Sequence, residues 1–446
     1  MTILTSINQA RRLAGRLVPA AVGVALPLAP ACADLPDWVA IHGQGTFVLQ
    51  GTPDFRSPYE GPNSLTPDQR KETVDLTAYV GVRPWTGGEL WVNPEVDQGF
   101  GLSNTLGVAG FTSAEAYKVG KKSPYLRLQR LFFRQTLDLG GGAETVDGEM
   151  NQFAGSHSAD RLVLTLGKFG VGDVFDTNRY AHDPRGDFLN WSIVDAGSFD
   201  YAADAWGYSL GGALEYFCGP WTLRVGAFNL STVPNGTRLE TGFQQDQLDL
   251  ELEHRHRIAG RDGAIRVTLF RNRGRFGRFD DALAVALAEG TVPDTADVRR
   301  RRTRLGAHLN LEQAVSDTVG LFARAGLADG SIEPYDFTDI DRTVSAGVQV
   351  AGAAWGRAGD EVGLAGVANG ISRTHQRYLA AGGLGVLVGD GRLPHPGTEA
   401  IGEAYYKWQP AKPVSVTLDY QLVGNPGYNR DRGPANVLAV RLHGEF

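Results

Sequence analysis

The last eleven residues, 436–446, restrict the fold of this chain more than any other stretch. They read N-V-L-A-V-R-L-H-G-E-F. Leu438, Val440, Leu442 and Phe446 fall on one face of a strand, and Val437, Ala439, Arg441, His443 and Glu445 on the other. Strict period-two alternation with a charged face, ending on an aromatic residue, suits the closing strand of a transmembrane β-barrel. There the last strand must pair with the first, so that no backbone group is left unpaired in lipid. The competing reading is an edge strand of a soluble sandwich.

The same alternation recurs along the chain with turn signals between the segments. Val39, Ile41, Phe47 and Leu49 oppose His42, Gln44, Thr46 and Gln50. Val74, Leu76, Ala78, Val80 and Val82 oppose Thr73, Asp75, Thr77 and Arg83. Pro84-Trp85-Thr86-Gly87-Gly88 then turns the chain into Leu90 and Val92, alternating with Glu89, Trp91, Asn93 and Glu95. Later segments behave alike: Trp221, Leu223 and Val225 against Thr222, Arg224 and Phe228; Leu248, Leu250 and Leu252 against Asp249, Glu251 and Glu253; Leu305, Leu309 and Leu311 against Arg304, His308 and Asn310. Such faces are too charged for a sandwich core and too regular for loops. A water-facing barrel interior accounts for both. In residues 125–138, Leu126 and Leu128 share one parity while Leu131, Phe133 and Leu137 share the other; a bulge near Gln129 reconciles them and points Arg130 and Arg134 inward. Residues 281–289 read as a short helix stopped by Gly290.

The N-terminus reads as an export leader. Arg11, Arg12 and Arg16 precede a short, proline-broken apolar stretch and the cleavage pattern Ala31-Cys32-Ala33. Cleavage after residue 33 leaves a single barrel domain, 34–446. Loss of those three arginines takes the net charge from −7 to −10, so nucleic acid is not an expected partner. Only Cys218 then remains, which precludes an internal disulfide. No apolar run after the leader is long enough for a membrane helix. At about ten residues per strand plus connections, this length allows on the order of sixteen antiparallel strands.

The segment 171–208 is long, polar and aromatic, a length that points to function. Within and around it lie Gly167-Lys168-Phe169, the run Asp173 to Ala181, Asp183-Pro184-Arg185, Phe188-Leu189-Asn190-Trp191 and Phe199 to Asp204. With Phe55 to Tyr59, the N-P-E and Q-G-F-G pieces between Asn93 and Phe111, and Asn425 to Pro434, they resemble the carbohydrate-selective outer-membrane porins (the OprB-type family). Residues 262–393 match more loosely. The resemblance implies an all-β, sixteen-stranded antiparallel barrel in the outer membrane of a Gram-negative bacterium, with long extracellular loops and one loop constricting the lumen. It further implies passive diffusion of glucose-like monosaccharides. The alternatives are a general or other-solute porin on the same barrel, and an exported soluble sugar-binding β-protein.

A sugar channel replaces part of the solute's hydration with hydrogen bonds that are not too tight. Carboxylates accept from hydroxyls, arginine donates in a fork, and aromatic faces pack on a pyranose. Candidate constriction residues are therefore Asp176, Asn178, Arg179, Asp183, Arg185, Asp187 and Asn190 on the long segment, with Trp191 as a stacking face. Arg130, Arg134 and Glu95 are the wall candidates. The rival reading is that this Asp/Arg/Asn set pins the loop through salt bridges and caps. The 36 arginines against seven lysines suit a fork-based lining, or reflect codon bias. Expected partners are carbohydrates, outer-membrane lipids and lipopolysaccharide, whose phosphates the run 299–302 could meet, and the barrel-assembly machinery, which would read Phe446 in the C-terminal strand. Monomer and homo-oligomer both remain open. No cofactor, metal or catalytic constellation is expected: Asp173, Asp176 and Asn178 lack the spacing of a calcium loop, and no nucleophile-elbow pattern is present.

Overall fold

The computed structural model describes residues 35–116 and 119–446. The leader 1–33 lies outside the described residues. Sixteen strands follow in order: β1 (Val39–Thr52), β2 (Gln69–Trp85), β3 (Gly88–Gly99), β4 (Lys121–Val146), β5 (Gly155–Phe169), β6 (Ser209–Cys218), β7 (Trp221–Asn229) and β8 (Asp246–Ile258). They continue with β9 (Arg261–Phe276), β10 (Arg300–Ala314), β11 (Val319–Ala328), β12 (Arg342–Ala351), β13 (Glu361–Gly370), β14 (Glu399–Ala411), β15 (Val414–Gly424) and β16 (Ala435–Glu445). Each pairs antiparallel with its sequence neighbours, and β1 pairs with β16, so the sheet closes into a barrel. The seam registers Phe47 opposite Leu442 and Leu49 opposite Val440. Phe446 exchanges backbone hydrogen bonds with Gly43, which secures the last residue to the first strand.

The two faces separate as the alternation requires. Leu126, Leu418 and Leu438 are 70%, 59% and 56% exposed on the outer wall, whereas Val437, Ala439 and Arg441 of the same last strand are buried inside. Gln129 is the extra residue of a bulge: Asn93 pairs with Arg130 and Pro94 with Leu128, so both leucine parities of β4 face outward. Short turns alternate with long connections around the ring, placing the long ones (53–68, 100–120, 170–208, 230–245, 277–299, 329–341, 371–398 and 425–434) on one rim. Short periplasmic turns and long extracellular loops are the usual asymmetry of such barrels, which orients this one. Trp38, Trp85, Trp221 and Trp408 are exposed near the short-turn rim, where amphipathic rings suit a membrane interface.

The lumen departs from a uniformly wet interior. Phe132, Phe169, Phe228, Phe270 and Phe322 project inward from the wall and are buried against Phe175, Phe188 and Phe199 of the connection 170–208. Phe228, on a face expected to be polar, meets Phe169 and Phe175 edge-on at 5.3 and 6.2 Å. Burial of each such ring contributes about 1.5–3 kcal/mol, enough to draw this connection into the barrel. Glycines in the wall make the room. A Cβ at Gly226 would lie 2.8 Å from the Phe175 ring, and one at Gly320 2.0 Å from that of Tyr180. Among the described residues three short α-helices sit in the connections: α1 (Trp191–Val194), α2 (Phe279–Glu289) and α3 (Arg373–Ala380). Helix α2 begins two residues before the expected stretch and ends at Gly290 in the left-handed conformation.

Candidate channel and constriction

A cavity of about 1390 Å³ opens at the short-turn rim, lined there by Trp85, Thr86, Met150, Lys412 and Pro413, and reaches inward to Glu115, Arg185, Trp191 and Tyr201. Its inner wall belongs to β2–β6 and to the folded-in connection 170–208.

Two arginines dominate the inner end. Arg130, placed inward by the Gln129 bulge, donates from both arms of its fork to Asp173, at 2.7 and 2.6 Å, and lies 4.9 Å from the Tyr208 ring centre. Arg185 comes from the connection itself. Its guanidinium meets Asp75 at 3.0 Å, Glu95 at 3.2 Å and Glu115 at 3.3 Å, and donates to the Tyr79 hydroxyl at 3.2 Å. Three carboxylates crowd this one guanidinium. Burial pushes Glu115 well above the ordinary carboxylate range; Arg185 opposes this and Asp75 adds to it. Burial likewise disfavours ionised Asp173, but Arg130 outweighs it and holds the group below its usual value. Alongside, Arg127 stacks 3.3 Å from the Trp206 ring centre, and both Arg127 and Lys168 reach Asp204 at 3.2 Å. Arg134 donates to the Asn151 carbonyl at 2.8 Å and contacts Glu89 at 3.4 Å.

Other residues picked from the sequence hold the connection in place. Asp176 is buried, bonded by Asn310 at 2.6 Å, Arg324 at 3.1 Å and the Ala196 N–H at 2.7 Å. Burial opposes its charge, yet Arg324 and His308 keep it well below the usual carboxylate range. Asn178 donates to Asn310 at 2.7 Å and accepts from the Tyr180 N–H. Asn190 caps α1 through Ser192 and donates to the Gly110 carbonyl at 2.8 Å. Asp187 accepts from the N–H groups of His182 and Asp183, and Asp183 from that of Arg185, closing a tight turn. Asp183 also lines the cavity. The Arg179 side chain is exposed beside Tyr180, away from the cavity lining. Trp191 stacks on Phe111 at 5.2 Å and donates to the Tyr201 hydroxyl, with only its edge reaching the cavity.

The wall supplies the matching sockets. Arg324 donates to the carbonyls of Asp176, Ala181 and Ile193, and Arg441 to those of Pro184, Gly186 and Asp187. Glu403 accepts the N–H groups of Leu189 and Asn190, Glu251 that of Asp176, and Gln247 that of Ala202. An irregular buried backbone must satisfy its polar groups in this way.

Sequence reading had not singled out Tyr79, Glu115, Asp195, Tyr201 or Tyr208 for the lining. Tyr79 continues the inward parity of Asp75 and Thr77, so it was readable; Glu115 and Asp195 lie in connections whose path no periodicity reveals. Asp195 lines the cavity 4.0 Å from His182, and burial pushes its carboxyl up to about 6. Among the described residues no group of three or more His, Cys, Asp or Glu is placed to hold a metal.

Residues 65–446 match the carbohydrate-selective porins of the OprB family. The chain belongs to that family. It is therefore an outer-membrane porin of a Gram-negative bacterium, a transport protein and not an enzyme. OprB of Pseudomonas putida at high pH is similar to this porin with a TM-score of 0.69 and 15% identity, over 92% of this chain and 94% of that one. The low-pH structure of the same protein gives 0.50 and 12%, over 92% and 93%. The outer-membrane channel DcaP of Acinetobacter baumannii gives 0.50 and 13%, over 92% and 97%. At these identities the structures attest the fold alone. A comparison with curated proteins finds no match.

Proposed function

We propose that this porin passes glucose-like monosaccharides selectively, and that the inner end of the cavity, between Arg130 and Arg185, is where the solute is selected. The pairing of charge there carries the reading. On the lining itself Arg130 is matched by Asp173 and Arg185 by Glu115; Asp75 and Glu95 are buried behind Arg185, and Lys168 and Arg127 share the buried Asp204 beside Arg130, outside the lining. Such pairs offer a dense set of strong donors and acceptors with a small net field. A neutral polyol gains from the hydrogen bonds, while a bare ion gains little to offset its lost hydration. Tyr208, Trp206 and Tyr201 add ring surface for the apolar face of a pyranose. Asp176, Asn178 and Asn190 contribute by fixing the loop that presents Asp183 and Arg185.

Planar-bilayer recording and liposome swelling with a panel of sugars test this. Glucose should reduce the ion current and swell liposomes faster than a disaccharide does. A large ion current indifferent to glucose would replace this reading with a general porin.

A further inference from the structure

We propose that the outer wall at the long-loop end of β8–β10 binds the phosphates of lipopolysaccharide in the outer leaflet. In β9 the inward positions are Arg266, Thr268, Phe270 and Asn272, all buried, so Arg271, Arg273 and Arg275 face outward above Val267 and Leu269. The register sets Arg275 opposite Arg301 of β10, Arg273 opposite Thr303, and Arg271 opposite Leu305. Three of the four arginines, Arg273, Arg275 and Arg301, are exposed.

Their neighbours do not neutralise them. Asp246 of β8, which the register sets opposite Arg273, gives its carboxylate to Arg271 instead, and Glu240 is held by the N–H groups of Gly242 and Gln244. Arg301 reaches the Gln244 carbonyl, while Arg273 and Arg275 form no side-chain hydrogen bond or ion pair among the described residues. The rest of the run 299–302 is occupied: Arg299 binds Glu333, and Arg300 and Arg302 meet Asp281 of α2. Like charges directly opposite on a sheet repel. Arg275 and Arg301 therefore call for an anion from outside the chain.

Height selects the anion. Arg271 shares its row with exposed Leu305 and Leu248, where the apolar belt ends. Each further outward row adds about 6.6 Å along the strand. Arg273 and Arg275 thus lie one and two rows above the hydrocarbon edge, level with the headgroups of the leaflet at the long-loop rim. Arginine forks bind phosphate oxygens two at a time.

The test measures binding of bisphosphoryl lipid A to the purified full-length porin in detergent by native mass spectrometry. Each outward arginine near a headgroup surface is worth about fivefold in affinity. The variant R273Q/R275Q/R301Q should bind on the order of 100-fold more weakly, with unchanged glucose flux and heat-modifiability. R273K/R275K/R301K should retain most of the affinity, and R257Q, at the opposite rim, all of it. Undiminished binding by the glutamine variant would overturn the proposal. So would a loss in the lysine variant as large as in the glutamine one, an equal loss in R257Q, or equal affinity for phosphatidylglycerol vesicles.

Discussion

Arg324 and Arg130 both project into the barrel from its wall, yet they do different work. Arg324 is fully buried and gives its donors to three loop carbonyls and to Asp176. Arg130 sits at the edge of the cavity, and its fork meets a single carboxylate that itself faces water. The same contrast divides the lumen. Its long-loop half is packed protein held by wall-to-backbone clamps; its short-turn half is a wet cavity edged by ion pairs. A charged residue in this barrel wall is therefore a strut where it is buried and ends on the loop, and on our proposal a solute contact where it borders the cavity.

The largest effect should come from removing a strut. Arg324→Ala leaves Asp176 buried without its guanidinium, a change that costs about 3–5 kcal/mol. Denaturant unfolding in detergent should show that loss, and single-channel current should become larger and noisier as the connection 170–208 loosens. An unchanged midpoint would erase the distinction between the two kinds of arginine.

Arg185→Ala should come next, because it strips the counter-ion from Glu115 at the inner end of the cavity and from Asp75 and Glu95 buried behind it. Unit charges 4 Å apart interact by about 4 kcal/mol at an effective dielectric near 20. Even a quarter of that raises the cation-to-anion permeability ratio about fivefold. Reversal potentials in a salt gradient measure it. A smaller step is expected for Arg130→Ala with Arg134→Ala. Ion pairs that border the open cavity contribute about 0–1 kcal/mol to stability, so glucose flux in liposome swelling should change by about twofold or more while the unfolding midpoint barely moves. Equal flux would remove these residues from the solute path.

The smallest expected effect is a response to pH. Asp195, raised to about 6 by burial, is neutral below that pH and negative above it. Cation preference should therefore rise as pH is taken from 5 to 7, and Asp195→Asn should flatten the step. A step of the same size in the variant would assign it to another group.

How far the sequence revealed these two halves follows from where each partner lies. The wall was legible because alternation is local: the outward leucines, the Gln129 bulge and the closing strand all declare themselves within a few residues. The looser stretch 262–393 resolved into β9–β13 by the same rule. Struts were not legible. Asp176 depends on Asn310 and Arg324, and Asn190 on Glu403, partners that no short-range pattern connects. The residue types of a strut and a lining contact are identical, so composition could nominate Asp176 and Arg185 together and could not tell them apart. Phe228 misled for a related reason. An inward ring reads as an interruption of a polar face until the loop ring that covers it is known.

The clamps made by Arg324, Arg441 and Glu403 have a consequence for anyone redesigning this channel. A foreign segment transplanted between Phe169 and Ser209 would arrive without its sockets, since those belong to β11, β16 and β14. Cargo, so to speak, is encoded in two distant places at once, and re-tooling the aperture means exchanging staves and stopper as one kit.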